Sequence, residues 1–105
     1  TEALKLSNEN NCNLIDIRDT VELQREGSIK NSFHISRGLL EFSVHPDSPY
    51  AQKVKLDPNK ELVLFCAAGG RSALAAKTLK EMGFEKVSHI EGGFAAMKDS
   101  GFETN

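Results

Sequence analysis

Six consecutive residues bring together a thiol, four small side chains and a guanidinium: Cys66-Ala67-Ala68-Gly69-Gly70-Arg71. Nothing bulky stands between Cys66 and Arg71, so the intervening backbone N–H groups are free to turn inward and form an anion-binding cradle at the start of a helix. A cysteine so placed, beside an arginine, has its pKa drawn down from ~8.5 into the range ~3.5–7.5 and becomes a nucleophile at neutral pH. The competing reading of Cys66 is core filler, because free cysteine packs as a small hydrophobe. The loop around it weighs against that reading. Arg71 invites a similar choice between a surface ion pair and an anion-binding role, since a cation at a helix N-terminus opposes the macrodipole and needs a local reason to be there.

No second cysteine follows within the loop, so a Cys-x-x-Cys dithiol is excluded. The other cysteine, Cys12, lies in the polar stretch Asn10-Asn11-Cys12-Asn13. Two thiols make neither a disulfide scaffold nor a metal site, so no metal or cofactor is expected and a reducing, cytoplasmic setting is. His34 and His89 stand far off in sequence and read as partly buried structural histidines. One further acid stands out. Asp16 interrupts an apolar run, where a carboxylate is costly unless paired, so it is expected to bond a loop or an arginine rather than face solvent on an edge strand.

The elements that must position these groups follow from the hydrophobic pattern. Asn13 to Ile17 reads as a strand, and Asp19-Thr20 caps a helix from Val21 to Glu26 that stops at Gly27. Phe33 to Ile35 carries a weaker strand signal, and Leu39 to Phe42 a short helix. Pro46, Pro49 and Pro58 mark a loop-rich connection with one helical turn near Ala51 to Val54. Glu61 to Phe65 is apolar on both faces and suits a central parallel strand, with Cys66 at its carboxyl end. Ala75, Leu79 and Met82 fall at helical spacing in a segment from Arg71 to Met82, ended by Gly83. Val87 to Ile90 makes a last strand, and Gly92-Gly93 turns into a helix from Phe94 to Ser100. Residues 1–12 are expected to form a short helix or an edge segment. Alternating strands and helices give an α/β fold, a small parallel sheet flanked by helices, in which Cys66 and the Asp16-Ile17-Arg18 stretch share the crevice beyond the strand ends.

At 105 residues with 27% charged residues and a net charge of -2, the chain is expected to be one ordinary globular domain over residues 1–105. It has no polybasic stripe for nucleic acid and no apolar run near the ~20 residues that span a bilayer. It begins at Thr1 without methionine, which leaves room for a removed leader or a longer parent protein.

Taken together, the motifs resemble the single-domain rhodanese-like sulfurtransferases. Cys66 to Arg71 matches their Cys-x-x-Gly-x-Arg loop, Leu14 to Asp19 resembles their early strand motif, and Glu22, Gly27-Ser28-Ile29 and His34-Ile35 resemble later segments in the right order. Glu91-Gly92-Gly93-Phe94 is similar to their closing Gly-Gly turn, while Met97 stands where a tryptophan is common. The region before Asn13 is shorter than the family's usual first strand and helix.

The resemblance implies a rhodanese-like fold and transfer of a sulfane sulfur from thiosulfate or a related small anion to cyanide or a thiol, through a Cys66 persulfide. It also implies that the N–H groups of Ala67 to Arg71 stabilise the persulfide, that Arg71 and Arg37 steer the donor, and that Asp16 and Arg18 brace the loop. A persulfide carrier or regulatory module, fed by a partner protein's persulfide, is the alternative. Phosphatases and arsenate reductases on a related fold use Cys-x5-Arg, a wider ring sized for a tetrahedral oxyanion; the Cys-x4-Arg count here disfavours them.

Overall fold

The computed structural model describes residues 12–45, 56 and 60–104. The expected turn near Ala51 to Val54, and residues 1–11 of the N-terminal segment, lie outside that range. The elements in chain order are β1 (Cys12–Asp16), α1 (Thr20–Glu26), β2 (Phe33–His34), a 3-10 turn (Arg37–Leu39) running into α2 (Leu40–Val44), β3 (Glu61–Phe65), α3 (Gly70–Glu81), β4 (Val87–His89) and α4 (Gly93–Asp99).

The four strands pair in the order β2-β1-β3-β4, all parallel. Glu61 to Phe65 is therefore an inner strand, as its apolar composition requires, with β1 as the second inner strand. Alternation along these two strands divides the core into two layers. Ile15, Leu62 and Leu64 pack with Ala75, Ala76 and Leu79 of α3 on one face. Leu14, Val63 and Phe65 pack with Phe94 and Met97 of α4, and with Phe102, on the other. Met97 is fully buried in that second layer, where its flexible thioether fills the space between α4 and the sheet. The alanines of α3 let that helix sit close to the sheet.

Differences from the sequence pattern are confined to element ends. Both α3 and α4 begin one residue early, on Gly70 and Gly93, because each is preceded by a left-handed glycine that reverses the chain: Gly69 at φ 107° and Gly92 at φ 82°. The short helix expected at Leu39 to Phe42 is split into a 3-10 turn and α2. A bridge between Ile29 and Thr104 pins the C-terminal segment beside the entrance to β2.

Register decides what lies at the carboxyl end of the sheet. Asp16 is level with Phe65 across β1 and β3, so the residues that follow, Ile17-Arg18 and Cys66, emerge side by side. Cys12 is level with Glu61, at the other end of the same two strands. At about 3.3 Å per residue, the two cysteines lie roughly 15 Å apart along the strand direction, well beyond disulfide reach.

Candidate active site

Cys66 leaves β3 and is 1% exposed. The chain after it turns through Ala67, Ala68 and Gly69 before α3 begins, which folds the loop back over the sulfur. The Gly69 N–H donates to Cys66 Sγ at 3.1 Å, and Ser72 Oγ, in the first turn of α3, lies 3.7 Å from the same sulfur. Burial alone would raise the thiol pKa. It is outweighed by the backbone N–H and hydroxyl of Ser72 and the N–H groups of Gly69 and Ala68, so the pKa of Cys66 falls below its ordinary value. The cradle thus favours a thiolate at the N-terminus of a three-turn helix.

The loop is held from behind by the Gly-Gly turn. Phe94 N–H donates to the Cys66 carbonyl at 2.7 Å. Gly93 packs so closely that a Cβ there would fall inside van der Waals contact of the Cys66 carbonyl oxygen and the Ala67 backbone. Gly69 in turn lies against the Gly92 backbone. Glycine at position 93 is therefore required by space as well as by its positive φ of 60°.

Asp16 and Arg18 form a bidentate pair with both side chains fully buried. Arg18 Nε lies 3.0 Å from each Asp16 carboxylate oxygen, and a terminal nitrogen 2.7 Å from Oδ2, while the Arg18 backbone N–H also donates to Oδ1. The same guanidinium donates to the Gly27 carbonyl and stacks on the Phe94 ring, 3.9 Å from its centroid. Phe94 thereby connects this buried pair to the backbone of Cys66. The acid in the strand is paired with an arginine two residues on.

Arg71 reaches outward to Glu22, with two N–H···O distances of 2.7 and 2.9 Å. Glu22 also accepts from the Asp19 N–H as part of a capping box on α1, so one carboxylate both caps α1 and ties it to α3. The guanidinium beside it, opposed by partial burial, lowers the Glu22 pKa from 4.5 to about 2, and the carboxylate raises that of Arg71. Arg37, on the 3-10 turn, pairs with Glu41 one helical turn on. Among the described residues the structure thus brings Cys66, Ala68, Gly69, Asp16, Arg18 and Arg71 to one end of the sheet, and engages Arg37 with α2.

Three contributors were not assigned to the site from the sequence: Ser72, and Gly93 and Phe94, which were noted only within the Gly-Gly turn. The signal for Gly93 was its place in a Gly-Gly turn after β4; Ser72 and Phe94 become visible only when the loop and turn are folded together. His34 makes a structural contact, its ring donating to the Arg18 carbonyl at 2.7 Å, but at the exposed end of β2 rather than in the partly buried position expected. His89 does not fit so simply, with Nδ1 3.4 Å from Ser72 Oγ. No group of metal-ligating side chains is found among the described residues, and no helix there is long and apolar enough to cross a membrane.

Comparison with known proteins gives relatives that are similar over most of the chain. YrkF from Bacillus subtilis (strain 168), whose name proposes a sulfur carrier protein, is 29% identical over 89 residues, covering 85% of this chain; the chain spans 43% of the length of that relative. The polysulfide-sulfur transferase homodimer from Wolinella succinogenes is 41% identical with a TM-score of 0.74, over 99% of this chain and 73% of that one. A protein of unknown function from Rhodopseudomonas palustris CGA009, described as a possible tyrosine phosphatase, is 44% identical with a TM-score of 0.83, over 98% of this chain and 79% of that one. The model of the Rhodanese-like domain matches residues 1–100, and this chain belongs to that family.

Proposed function

We propose that the protein moves a sulfane sulfur through a persulfide on Cys66. The observation that carries this reading is the cradle itself: a buried sulfur at a helix N-terminus that accepts from the Gly69 N–H and has its pKa lowered by the donors around it. The Cys66 thiolate attacks the outer sulfur of thiosulfate; the S–S bond of the donor breaks and sulfite leaves with the bonding pair. The terminal sulfur of the persulfide carries the remaining negative charge, which the N–H groups of the loop meet as they met the thiolate. Cyanide or a thiolate then attacks that terminal sulfur, and Cys66 departs again as thiolate. Neither half-reaction needs a metal or an external redox partner.

Arg71 is held on Glu22, which positions the start of α3 and leaves a net neutral pair at the rim. Asp16 and Arg18 act through Phe94, fixing the carbonyl of Cys66 rather than touching a substrate. The loop side chains are small, so the entrance accepts thiosulfate, a polysulfide or a protein persulfide alike. The naming of one relative as a sulfur carrier favours a second reading, in which Cys66 takes sulfur from a partner protein and passes it on. The description of another as a possible tyrosine phosphatase meets the Cys-x4-Arg count, which makes a ring fitted to a single sulfur rather than a phosphate.

A thiosulfate:cyanide assay on the wild type and on Cys66→Ala tests the proposal. Thiocyanate formation lost in the variant supports the enzyme. No thiocyanate, but sulfur gained on Cys66 from a cysteine desulfurase, supports the carrier. Hydrolysis of an aryl phosphate without any persulfide would replace both with the phosphatase.

A further inference from the structure

Ser72 occupies an unusual position between two titratable groups. Its Oγ lies 3.7 Å from Cys66 Sγ, 3.2 Å from the Gly69 carbonyl and 3.4 Å from His89 Nδ1. The residue is fully buried, whereas His89 ends β4 at an exposed position. A hydroxyl has one proton to give, so its direction is set by which neighbour can only donate and which can only accept.

We propose that Ser72 and His89 form a proton relay that carries the thiol proton of Cys66 out to solvent and then holds the sulfur as a thiolate. The proposal rests on Cys66 being the sulfur-carrying nucleophile. The Cys66 proton passes to Ser72 Oγ as the proton of Ser72 passes to His89 Nδ1; one S–H bond breaks, one N–H bond forms, and the serine ends with the proton it received. In the resulting state the His89 imidazolium donates to Ser72 Oγ, and the serine hydroxyl is committed as donor to the thiolate. Without the imidazole donor the same hydroxyl is free to turn to Gly69 or to His89 itself, leaving the sulfur with its backbone N–H contacts. His89 is thus a positioning residue that acts through Ser72. The buried sulfur gains an exchange path to water that does not require the loop to open.

Other charged groups lie near His89. α3 presents Lys77, Lys80 and Glu81 to a shallow depression that His89 also lines, together with Ala73 and Ala76. β3 contributes the apolar Leu64 alongside.

The test is the pH dependence of Cys66 alkylation by iodoacetamide, read by peptide mass spectrometry so that Cys12 is scored separately. The wild type should show a second limb, contributed by His89, in addition to the thiol limb. His89→Leu should lose that limb and slow alkylation at neutral pH about fivefold, the effect of losing one hydrogen bond that favours the thiolate. His89→Asn, whose amide N–H can donate to Ser72 Oγ, should recover most of the neutral rate without the histidine limb. In a Ser72→Ala background, adding His89→Leu should change nothing further. A His89→Leu profile that superimposes on the wild type, or an equal His89→Leu effect with and without the Ser72 hydroxyl, would overturn the relay. Alkylation does not require sulfur transfer, so failure of the wild type to form a persulfide would sink the proposed function while leaving this measurement readable.

Discussion

The two cysteines of this chain sit at opposite ends of the same pair of inner strands and are buried to nearly the same degree, 7% exposed for Cys12 and 1% for Cys66. Their acidities move in opposite directions. Burial pushes the Cys12 thiol up, helped by the neighbouring Glu61 carboxylate and only partly offset by Lys60. Burial pushes on Cys66 as well, but the donors of its loop and of Ser72 overcome it. What separates the acidities of the two thiols is therefore the direction in which the adjacent backbone points. At Cys12 the backbone N–H and C=O groups run into a β-ladder; beyond Cys66 they are released by a loop of small residues and gathered onto the sulfur.

Thiol reactivity should separate the two cysteines most clearly. At neutral pH, Cys66 should be alkylated faster than Cys12, because a lowered pKa leaves the larger thiolate fraction on Cys66 and a raised one the smaller on Cys12. Peptide-resolved labelling of the native protein measures the ratio, and equal rates would mean that the loop donors do not act on the sulfur.

A second test removes the support behind the loop while leaving Cys12 in place. Asp16→Asn removes the bidentate partner of the fully buried Arg18, leaving it the half-exposed Glu26 carboxylate 3.6 Å away, and should cost about 3 kcal/mol in urea unfolding. Gly93→Ala attacks the loop more locally. The added Cβ must displace the Cys66 carbonyl and Ala67 backbone, at a cost of about 1–3 kcal/mol. Alkylation of Cys66, but not the protection of Cys12, should change with it.

The smallest effect is expected at the rim. Glu22→Gln removes the partner of Arg71 and should cost no more than about 1 kcal/mol, since Arg71 is partly exposed and the pair is screened. Because the folded Glu22 pKa is lowered from 4.5 to about 2, the stability contributed by the pair is fully present above 4.5 and is lost as pH falls toward 2. Acid unfolding of the wild type and Glu22→Gln should therefore converge at the acid end and differ at neutral pH. A constant difference across the whole range would place the effect outside this ion pair.

Much of this site was legible because its parts are contiguous or periodic. The small residues from Ala67 to Gly70 announced a turn around the sulfur, and the run Leu62 to Phe65 announced a strand buried on both faces, which fixed Cys66 at a strand end. Asp16 could be recognised as a paired acid because a carboxylate in an apolar run needs a partner, and the partner lay two residues away. The links made by Ser72, Phe94 and Glu22 are of another kind. Each depends on which way a helix faces after the chain has crossed the sheet: Glu22 meets Arg71 across 49 positions, and Ser72 meets His89 across 17. Residue type alone cannot specify such meetings, since serine, phenylalanine and glutamate are each ordinary at a helix start or on its surface.

Sulfur transfer through Cys66 requires that the sulfur be deposited on that residue and no other. Incubation of the protein with thiosulfate or polysulfide, followed by site-resolved mass spectrometry before and after a cyanide chase, measures it directly. One added sulfur on the Cys66 peptide, removed by cyanide as thiocyanate, with the Cys12 peptide unchanged, is the predicted result. Sulfur on Cys12, or none on Cys66 from any of these donors or from a desulfurase, would contradict it.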